Sequence, residues 1–211
     1  MNNYFIDPQT KSTEFDLLLK EKLLILPKNS GLETYRLEFD KISSNTLIVR
    51  AEDVPFFVEK ILSKGIPCIG LTGRDLFKEY KLNNPTSNII EVKNLGWADT
   101  RTLFGKPVLC LLGPKGKKPD LFNSTCVIAI NKKYSSIAKN YLGKLKQKGA
   151  KFVEYYLSGA TELAYAAGIA DAVIDIVVSG DSASKTGLRV YDRIIESEAV
   201  LVGGYDAKLQ Q

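Results

Sequence analysis

A run of small, hydroxyl-bearing residues, SGDSAS at Ser179–Ser184, directly follows the apolar segment Ala172–Val178. An apolar segment of this length, bounded by turn residues, predicts a buried strand. Small residues at the end of a strand let backbone N–H groups converge on an anion, and serine hydroxyls add further donors. The stretch therefore predicts a phosphate-binding loop, although a plain serine–glycine turn after a core strand remains open as the alternative.

Two carboxylates accompany this loop. Asp175 lies inside the apolar segment, and Glu162 belongs to a short helical segment just before it. Burial of a carboxylate costs several kcal/mol unless the group is paired. Beside a phosphate loop, the partner of Asp175 could be a ribose diol or Mg²⁺. It could equally be a set of backbone donors, in which case Asp175 has a structural role.

A second group of polar residues follows three other predicted strands. Lys28 and Arg50 each end an apolar run, and Gly73, Arg74 and Asp75 follow the next one. Open α/β sheets bind ligands at the carboxyl ends of their strands, and glycine permits close approach of a ligand to the backbone. These five residues are therefore ligand-binding candidates. Lys28 could instead be a solvated lysine, and Asp75 a helix cap.

The elements that would position these residues alternate along the chain. Short apolar runs alternate with amphipathic segments, which is typical of an α/β fold with mainly parallel sheets. We expect the last two strands to form an antiparallel pair, and one of the adjacent Tyr155 and Tyr156 to lie in the core. Predicted strands cover 23–26, 46–49, 66–72, 89–92, 108–112, 126–130, 151–157, 172–178, 188–195 and 199–202; predicted helices cover 32–42, the segment between Asp53 and Gly65, a short stretch from Asp75, 135–147 and 162–167.

Composition excludes several classes of protein. The 211 residues are 45% hydrophobic and 25% charged, which is ordinary for a globular protein and excludes disorder. No apolar run approaches the roughly 20 residues of a membrane span, and the first residues do not resemble a secretory signal. The chain has no histidine and three widely spaced cysteines. This pattern excludes a Cys/His zinc site, Ser-His-Asp or Cys-His catalysis and a disulfide framework, and it indicates a reduced, cytoplasmic protein.

The charge balance favours small anionic ligands. There are 29 Lys and Arg residues against 24 Asp and Glu, for a net charge of +5. The densest basic cluster, KGKKP at Lys115–Pro119, predicts a solvated turn and not a nucleic-acid-binding stripe. We therefore expect no nucleic-acid partner and no membrane partner.

The Ser179–Ser184 segment is also part of a longer sequence pattern. Glu162, Gly168, Asp175, Ser179 and Gly180 stand in the order and spacing of a Glu, Gly, Asp and Ser/Thr-Gly motif. This run resembles the signature of the ATP phosphoribosyltransferase family. The segments LILPKNSGLE, VRAEDVPFFVEKILSKGIPCIGLTGRDLF and TGLRVYDRIIESEAVLV are similar to family segments too, so the resemblance extends from residue 23 to about residue 203.

The sequence departs from the family pattern at two places. Ser182 and Ala183 stand where the family has Thr-Leu in its phosphate loop. Asn29, Ser30 and Gly31 stand after Lys28 where the family has Gly-Arg-Leu. The first change keeps a hydroxyl, whereas the second removes an arginine that would help to hold substrate phosphates.

The resemblance implies a fold. We expect two α/β lobes with mainly parallel sheets, similar to a type II periplasmic binding protein, with a ligand cleft between them. Lobe one would comprise residues 23–104 with 184–211, and lobe two, which carries the phosphate loop, residues 105–183. Residues 1–22 would be an N-terminal extension.

The resemblance also implies an activity. The family transfers phosphoribosyl from phosphoribosyl pyrophosphate to N1 of ATP, with Mg²⁺, in the first step of histidine biosynthesis. The residues implied for phosphoribosyl pyrophosphate are Glu162, Asp175, Ser179, Gly180, Asp181, Ser182 and Ala183; those implied for ATP or pyrophosphate are Lys28, Arg50, Gly73, Arg74 and Asp75. No metal site built by the protein alone is expected.

Partners follow from the same resemblance. The chain ends at Gln211, a few residues after the last predicted strand, so it resembles the family's short form, which lacks a C-terminal histidine-binding domain. We expect self-association and a regulatory subunit that resembles histidyl-tRNA synthetase. Two alternatives stay open because of the departures: a paralogue that binds a phosphorylated ribose or nucleotide without transfer, and a transferase for another acceptor.

Overall fold

The computed structural model describes residues 23–28, 46–97, 100–116 and 119–204. The N-terminal extension, residues 1–22, and the predicted helix at 32–42 lie outside these residues. In chain order the elements are β1 (Leu23–Lys28), β2 (Thr46–Arg50), α1 (Val54–Leu62), β3 (Cys68–Gly73), α2 (Arg74–Asn83), β4 (Ile90–Gly96), β5 (Val108–Pro114), β6 (Cys126–Asn131), a 3₁₀ turn (Lys132–Tyr134), α3 (Ser135–Gln147), β7 (Phe152–Leu157), α4 (Thr161–Ala166), β8 (Ala172–Val177), α5 (Asp181–Lys185), β9 (Leu188–Glu196) and β10 (Ala199–Gly203). All ten predicted strands are present.

The chain forms two compact units. The first comprises Met1–Ala98 with Glu198–Gln211, and the second comprises Asp99–Ser197. These boundaries differ from those expected at residues 104 and 183. The largest difference concerns β9, which lies in the second unit because it pairs with β5 along seven residues.

Each unit contains one five-stranded sheet. The strand orders are β2-β1-β3-β10-β4 in the first unit and β7-β6-β8-β5-β9 in the second. In the first sheet β10 runs antiparallel to both of its neighbours, and in the second sheet β5 does so. The other pairings, β1 with β2 and β3 and β6 with β7 and β8, are parallel. Four strands of each sheet therefore share one direction, as the prediction of mainly parallel sheets requires.

The antiparallel pair expected at the end of the chain is wrong. β9 and β10 belong to different sheets, because the chain passes from the second unit to the first between Ser197 and Glu198. The three residues that separate two β-rich segments suggested a hairpin. In the structure they are a crossing between units.

Helix α1 shows how local sequence sets the element boundaries. Pro55 stands in its first turn, where its fixed φ and missing N–H cost nothing. Asp53 occupies the N-cap position, but its side chain makes no capping hydrogen bond, although a helix that starts after an Asp suggests one. The helix ends at Leu62, and Gly65 follows in the left-handed region at φ 74°. Val54 and Val58 are fully buried and fix the helix on its sheet.

Each unit has its own apolar core. The first core joins α1 and α2 to β3 and β10, and the second joins α4 and α5 to the face of β5, β6 and β8. The three cysteines are free and buried, one in the first unit and two in the second. Among the described residues no helix is long and apolar enough to cross a membrane.

Candidate functional site

The carboxyl ends of β6 and β8 meet at one edge of the second sheet, and Asp175 of β8 lies there. Its Oδ1 accepts hydrogen bonds from Nδ2 of Asn131, at 3.0 Å, and from the backbone N–H of Ile176, at 2.7 Å. Its Oδ2 accepts one from the hydroxyl of Thr161, at 2.5 Å. The carboxylate is therefore held on both oxygens. Two side-chain donors and one backbone donor satisfy Asp175, so the structural alternative is met in part, and a ribose or Mg²⁺ partner stays a prediction.

The turn before α4 places Thr161 at this carboxylate. Thr161 is buried, with 1% of its surface exposed, and it is the first residue of the helix. Ala160 before it has φ 54°, in the left-handed region, and its carbonyl accepts from the N–H groups of Leu163 and Ala164. A residue with a Cβ pays roughly 1–2 kcal/mol for this conformation. Such strain is found where the surrounding structure fixes a functional geometry.

Glu162 lies beside Asp175. The pKa of Glu162 is raised above its ordinary value, first by burial and second by the negative charge of Asp175. Two oxygen-rich groups with unneutralised charge therefore stand together at the edge of the sheet. A pair of this kind suits ribose hydroxyls or a hard cation.

The predicted phosphate loop begins where β8 ends. Gly180 has φ 80° and occupies the N-cap position of α5. The N–H of Asp181 bonds to the Ser179 hydroxyl at 3.3 Å. Ala183 is buried in the core of the second unit, whereas Asp181 and Ser182 are exposed. The loop is thus anchored through Ala183, and it presents the hydroxyl of Ser182 and the first N–H groups of α5, which have no acceptor within the helix.

Close packing accounts for the glycine at position 180. A Cβ at Gly180 would lie 3.1 Å from Cδ2 of Leu103. The N–H of Leu103 donates to the carbonyl of Val178 at 2.7 Å, which holds the segment around Leu103 along the loop. Both the backbone conformation and the adjacent side chain therefore require glycine.

A cation reaches the same loop. Nζ of Lys115 donates to the carbonyl and to the hydroxyl of Ser184, both at 3.1 Å. The sequence placed Lys115 in a solvated turn. Lys115 is exposed in such a turn, as predicted, and its side chain also reaches Ser184 because β5 ends beside the start of β9.

In the first unit, the candidate residues also lie at the carboxyl ends of parallel strands. Lys28 and Arg50 are register partners at the ends of β1 and β2, and Arg50 is exposed. Gly73 ends β3 and serves as N-cap of α2. Asp75 is buried, with 5% of its surface exposed, in the first turn of α2.

Arg74 is occupied by carboxylates of its own unit. Its Nε and Nη2 donate to the two oxygens of Glu91 at 3.0 and 2.6 Å, and its Nη1 donates to Glu198 at 2.5 Å. The pKa of Arg74 is raised, chiefly by the hydrogen bonds that it donates to Glu91. Its backbone N–H also donates to the carbonyl of Glu198. Arg74 therefore joins α2 to β4 and to the start of β10, and its charge is offset.

An open cavity of about 800 Å³ lies elsewhere in the second unit. Cys126 and Asp171, at the amino ends of β6 and β8, line it, so it lies at the opposite edge of the sheet from Asp175. None of the candidate residues lines this cavity. Its two carboxylates, Asp120 and Asp171, hold backbone N–H groups.

Asn131 and Thr161 were not predicted from the sequence. Each is an ordinary polar residue next to a segment boundary, and neither belongs to the motif that singled out Asp175. The only available signal was the position of Asn131 at the end of a strand that neighbours β8. That adjacency is a property of the sheet order, which local sequence patterns do not specify.

These features define a class of protein: a two-unit α/β protein with five-stranded mixed sheets and an acidic, loop-bearing edge in the second unit. A family model described as HisG, ATP phosphoribosyltransferase, matches residues 50–211. The chain belongs to the ATP phosphoribosyltransferase family, a family of transferase enzymes, as its motifs predicted.

Individual relatives agree with this assignment. An ATP phosphoribosyltransferase of Caldicellulosiruptor bescii is 28% identical over 193 residues, which cover 89% of this chain and 80% of the relative. The solved ATP phosphoribosyl transferase (HisG:HisZ) complex from Thermotoga maritima matches with a TM-score of 0.64 at 23% identity, covering 86% of each chain. The periplasmic aliphatic sulphonate binding protein SsuA from Escherichia coli matches with a TM-score of 0.57 at 18% identity, over 90% of this chain and 67% of that one. The predicted likeness to periplasmic binding proteins is confirmed.

Proposed function

We propose that the chain transfers the phosphoribosyl group of phosphoribosyl pyrophosphate to N1 of ATP, the first step of histidine biosynthesis. A bond forms between N1 of the adenine and C1 of the ribose, the bond from C1 to the pyrophosphate oxygen breaks, and pyrophosphate leaves. The observation that carries the proposal is the carboxylate of Asp175, fixed by Asn131 and Thr161 beside the Ser179–Ala183 loop.

Asp175 and Glu162 would receive the ribose. Asp175 Oδ1 already accepts two hydrogen bonds, whereas Oδ2 accepts one, and a carboxylate oxygen offers about two acceptor positions. One acceptor position on Oδ2 therefore remains for a ribose hydroxyl. Because the carboxylate is held before substrate arrives, little ordering remains to be done on binding, which is the advantage of preorganisation.

The loop would bind the 5-phosphate. Backbone N–H groups at the start of α5 and the hydroxyls of Ser179 and Ser182 supply donors, and Gly180 and Ala183 shape and anchor the turn. Asp181 is exposed, so its charge can stay in solvent. Lys115, held at Ser184, adds a positive charge near the loop. Hydrogen bonds to an ionised phosphate are stronger than those between neutral groups.

Oxygen donors suitable for Mg²⁺ are present, since Asp175 and Glu162 are carboxylates at one edge. The described residues contain no group of three or more His, Cys, Asp or Glu that could hold a metal alone. Mg²⁺ is commonly held by one or two carboxylates together with substrate phosphates, so this pair fits. When bound, the ion would neutralise charge that develops on the departing pyrophosphate.

The first unit would bind ATP or pyrophosphate. Arg50, exposed at the end of β2, and Lys28, its register partner, are the proposed phosphate contacts. Gly73, the N-cap residue of α2, would let a ligand approach the backbone closely, and Asp75, in the first turn of α2, would shape this edge of the sheet. We assign Arg74 a structural role, since two carboxylates already engage its guanidinium.

A direct assay tests the reaction. The purified chain is mixed with ATP, phosphoribosyl pyrophosphate and Mg²⁺, and both pyrophosphate and the N1-substituted adenine nucleotide are measured. The proposal expects the two products in equal amounts. Binding of phosphoribosyl pyrophosphate without product would favour the non-transferring paralogue. Product with another purine nucleotide, and none with ATP, would favour a different acceptor.

The proposal includes partners. We propose self-association and a regulatory subunit that resembles histidyl-tRNA synthetase, in the cytoplasm. The Thermotoga maritima structure is a HisG:HisZ complex of two kinds of subunit, and this supports the second partner. The assay is therefore repeated with and without such a subunit and with histidine. We expect the chain without the regulatory subunit to be feebly active and not inhibited by histidine. Full activity of the isolated chain, or its inhibition by histidine, would contradict this.

A further inference from the structure

The second unit exposes several large apolar side chains, and one of them lies on the predicted phosphate loop. Tyr155 and Tyr156 are 45% and 36% exposed, because β7 is an edge strand, so the expectation that one of them lies in the core is wrong. Leu103 is 53% exposed, and its side chain lies against Gly180 of the Ser179–Ala183 loop. The leucine therefore contributes less to the core than to the loop that it covers.

Backbone and side-chain contacts together hold Leu103 on this loop. Its N–H donates to the carbonyl of Val178 at 2.7 Å, so this segment runs beside the residues that precede the glycine. A Cβ placed on Gly180 would meet Cδ2 of Leu103 at 3.1 Å and its Cβ at 3.9 Å. The next residue, Phe104, packs against the core of the second unit. Leu103 is therefore anchored to the core through its neighbour and covers Gly180 with its side chain.

The other end of the loop is held in a different way. Ala183 is buried in the core, and the hydroxyl of Thr186 donates to the carbonyls of Ser182 and Ala183, at 3.1 Å each. At the start of the loop, Gly180 precedes the exposed Asp181. Glycine has more conformational freedom than any other residue. The direction of the N–H groups that follow Gly180 therefore depends on what fixes this glycine.

We propose that Leu103 is a positioning residue for phosphoribosyl pyrophosphate. Its side chain covers Gly180 and so keeps the N–H groups at the start of α5 in the orientation that binds the 5-phosphate. Leu103 carries no polar side-chain group, so it acts through the loop and need not touch the substrate. The inference rests on the proposed function of the loop, and it gives a role to a residue outside the motif of Glu162 to Gly180.

The role predicts a specific kinetic pattern. The 5-phosphate takes no part in the bond that forms at C1, so the loop should bind it equally in the ground state and in the transition state. Weakening of such uniform binding raises KM and leaves kcat unchanged. Because Leu103 is exposed, its truncation should also leave the stability of the fold unchanged.

Leu103→Ala tests the role in the full chain. Titration calorimetry with phosphoribosyl pyrophosphate and Mg²⁺ should show a Kd raised about tenfold, as expected when one hydrogen bond to a charged group is lost. In the transfer assay the KM for phosphoribosyl pyrophosphate should rise by the same factor, with kcat and the KM for ATP unchanged. Leu103→Met has a similar volume and should restore the affinity. Leu82→Ala, at a leucine of α2 with 40% exposure, is the matched control and should bind as the parent does. Denaturant melts of all three variants should match that of the parent.

The double variant Leu103→Ala/Gly180→Ala tests whether Leu103 acts through Gly180. In Gly180→Ala the added methyl group presses on Leu103, so truncation of the leucine relieves this contact. The loss of affinity in the double variant should therefore be smaller than the product of the two separate losses. A loss equal to that product, equal losses in Leu103→Ala and Leu82→Ala, or no rescue by Leu103→Met would overturn the proposal.

The same titrations separate this proposal from the assignment of the loop. Unchanged affinity in Leu103→Ala, with weakened binding in Gly180→Ala, would overturn the role of Leu103 and leave the loop as the phosphate site. Unchanged affinity in both single variants would overturn the loop assignment, and the role of Leu103 with it.

Discussion

Asn131 and Asp175 are joined by a 3.0 Å hydrogen bond from Nδ2 to Oδ1, which ties the end of β6 to the end of β8. The second oxygen of Asp175 is held by another neutral donor, the hydroxyl of Thr161. Neutral donors fix the orientation of a carboxylate without cancelling its charge. The arrangement therefore leaves Asp175 oriented and still negative, which is what a ribose hydroxyl or a hard cation requires.

Asp175→Asn should separate the catalytic role from the structural one. The amide oxygen can replace Oδ1, and its NH₂ can donate to the Thr161 hydroxyl, which is able to rotate and accept. We therefore expect a fall of about 1 kcal/mol in the free energy of unfolding. Turnover should fall roughly 100-fold, since the charge and the free acceptor are lost and the ribose is no longer positioned. Denaturant melts and initial rates measure the two effects.

Asp171→Asn is the matched control for this experiment. Asp171 accepts a backbone hydrogen bond from Val127 at 2.7 Å, at the opposite edge of the same sheet. An amide oxygen can take over this bond, so turnover should not change. Unchanged turnover in Asp175→Asn, or equal loss in both variants, would contradict the assignment of Asp175 to the ribose.

Gly180→Ala should weaken binding of phosphoribosyl pyrophosphate. The left-handed φ of 80° costs an alanine roughly 1–2 kcal/mol, and the new Cβ would press on Leu103 at 3.1 Å. Displacement of the loop should remove at least one N–H contact to the phosphate, worth about 1.5–3 kcal/mol. Titration calorimetry measures the affinity.

Gly65→Ala controls for backbone strain. Gly65, in the first unit, has φ 74°, and a Cβ added at this position would have no atom within 4 Å. Its substitution should lower stability to a similar extent and leave the affinity unchanged. Equal affinity losses in both variants would show that global strain, and not the loop, accounts for the effect.

Glu162 should leave a signature in the pH dependence of stability. Its folded-state pKa lies above the ordinary 4.5 because of burial and the charge of Asp175. Between the unfolded and folded pKa values the native state binds more protons, so the free energy of unfolding falls as pH rises through this window. Glu162→Gln removes this titrating group. The free energy of unfolding of the variant, relative to that of the parent, should therefore increase as pH rises from 4.5. Denaturant melts over the acidic range measure the difference.

Glu154→Gln should change the pH dependence of stability in the opposite direction. Burial raises the pKa of Glu154, but hydrogen bonds from Tyr156 and Lys146 outweigh it, and the net pKa lies below the ordinary value. Glu154 therefore stabilises the native state above the unfolded pKa, and this contribution is lost as pH falls. Relative to the parent, Glu154→Gln should become less stable as pH rises. If the free energy of unfolding, relative to the parent, changed with pH in the same direction in Glu162→Gln and Glu154→Gln, the environments assigned to these two carboxyl groups would be wrong.

Local patterns in the sequence predicted the elements well. Short runs of apolar or β-branched and aromatic residues located the ten predicted strands, because strands that pack in a sheet favour such residues. The pairing of β9 with β5 was missed, since residues 113–114 and 188–189 meet only through a long-range contact. Neighbouring β-rich segments favour a hairpin in any reading of the sequence, and the crossing at Ser197 has no local signal.

The candidate site was predictable where a motif carried it. Glu162, Asp175 and Gly180 stand in a spaced pattern, whereas Asn131 comes from another strand and lies 44 residues away from its partner. At Arg74 a local sequence signal was present but suggested a different role from the one the fold indicates. Its position after a strand suggested a phosphate contact, and only the fold reveals that Glu198, 124 residues away, accepts its hydrogen bond.

Arg74 and Arg50 should therefore respond differently to substitution by alanine. Arg74→Ala removes hydrogen bonds to two partly buried carboxylates, Glu91 and Glu198, and should lower the free energy of unfolding by about 1.5–3 kcal/mol. Arg50 is exposed, so Arg50→Ala should change stability by no more than about 0.5 kcal/mol. The proposed phosphate contact of Arg50 is worth about 1.5 kcal/mol, so its loss should raise the KM for ATP about tenfold. Denaturant melts and initial rates at varied ATP give both quantities for both variants. A large rise in the KM for ATP without loss of stability in Arg74→Ala would return Arg74 to the substrate site, and an unchanged KM in Arg50→Ala would remove Arg50 from it.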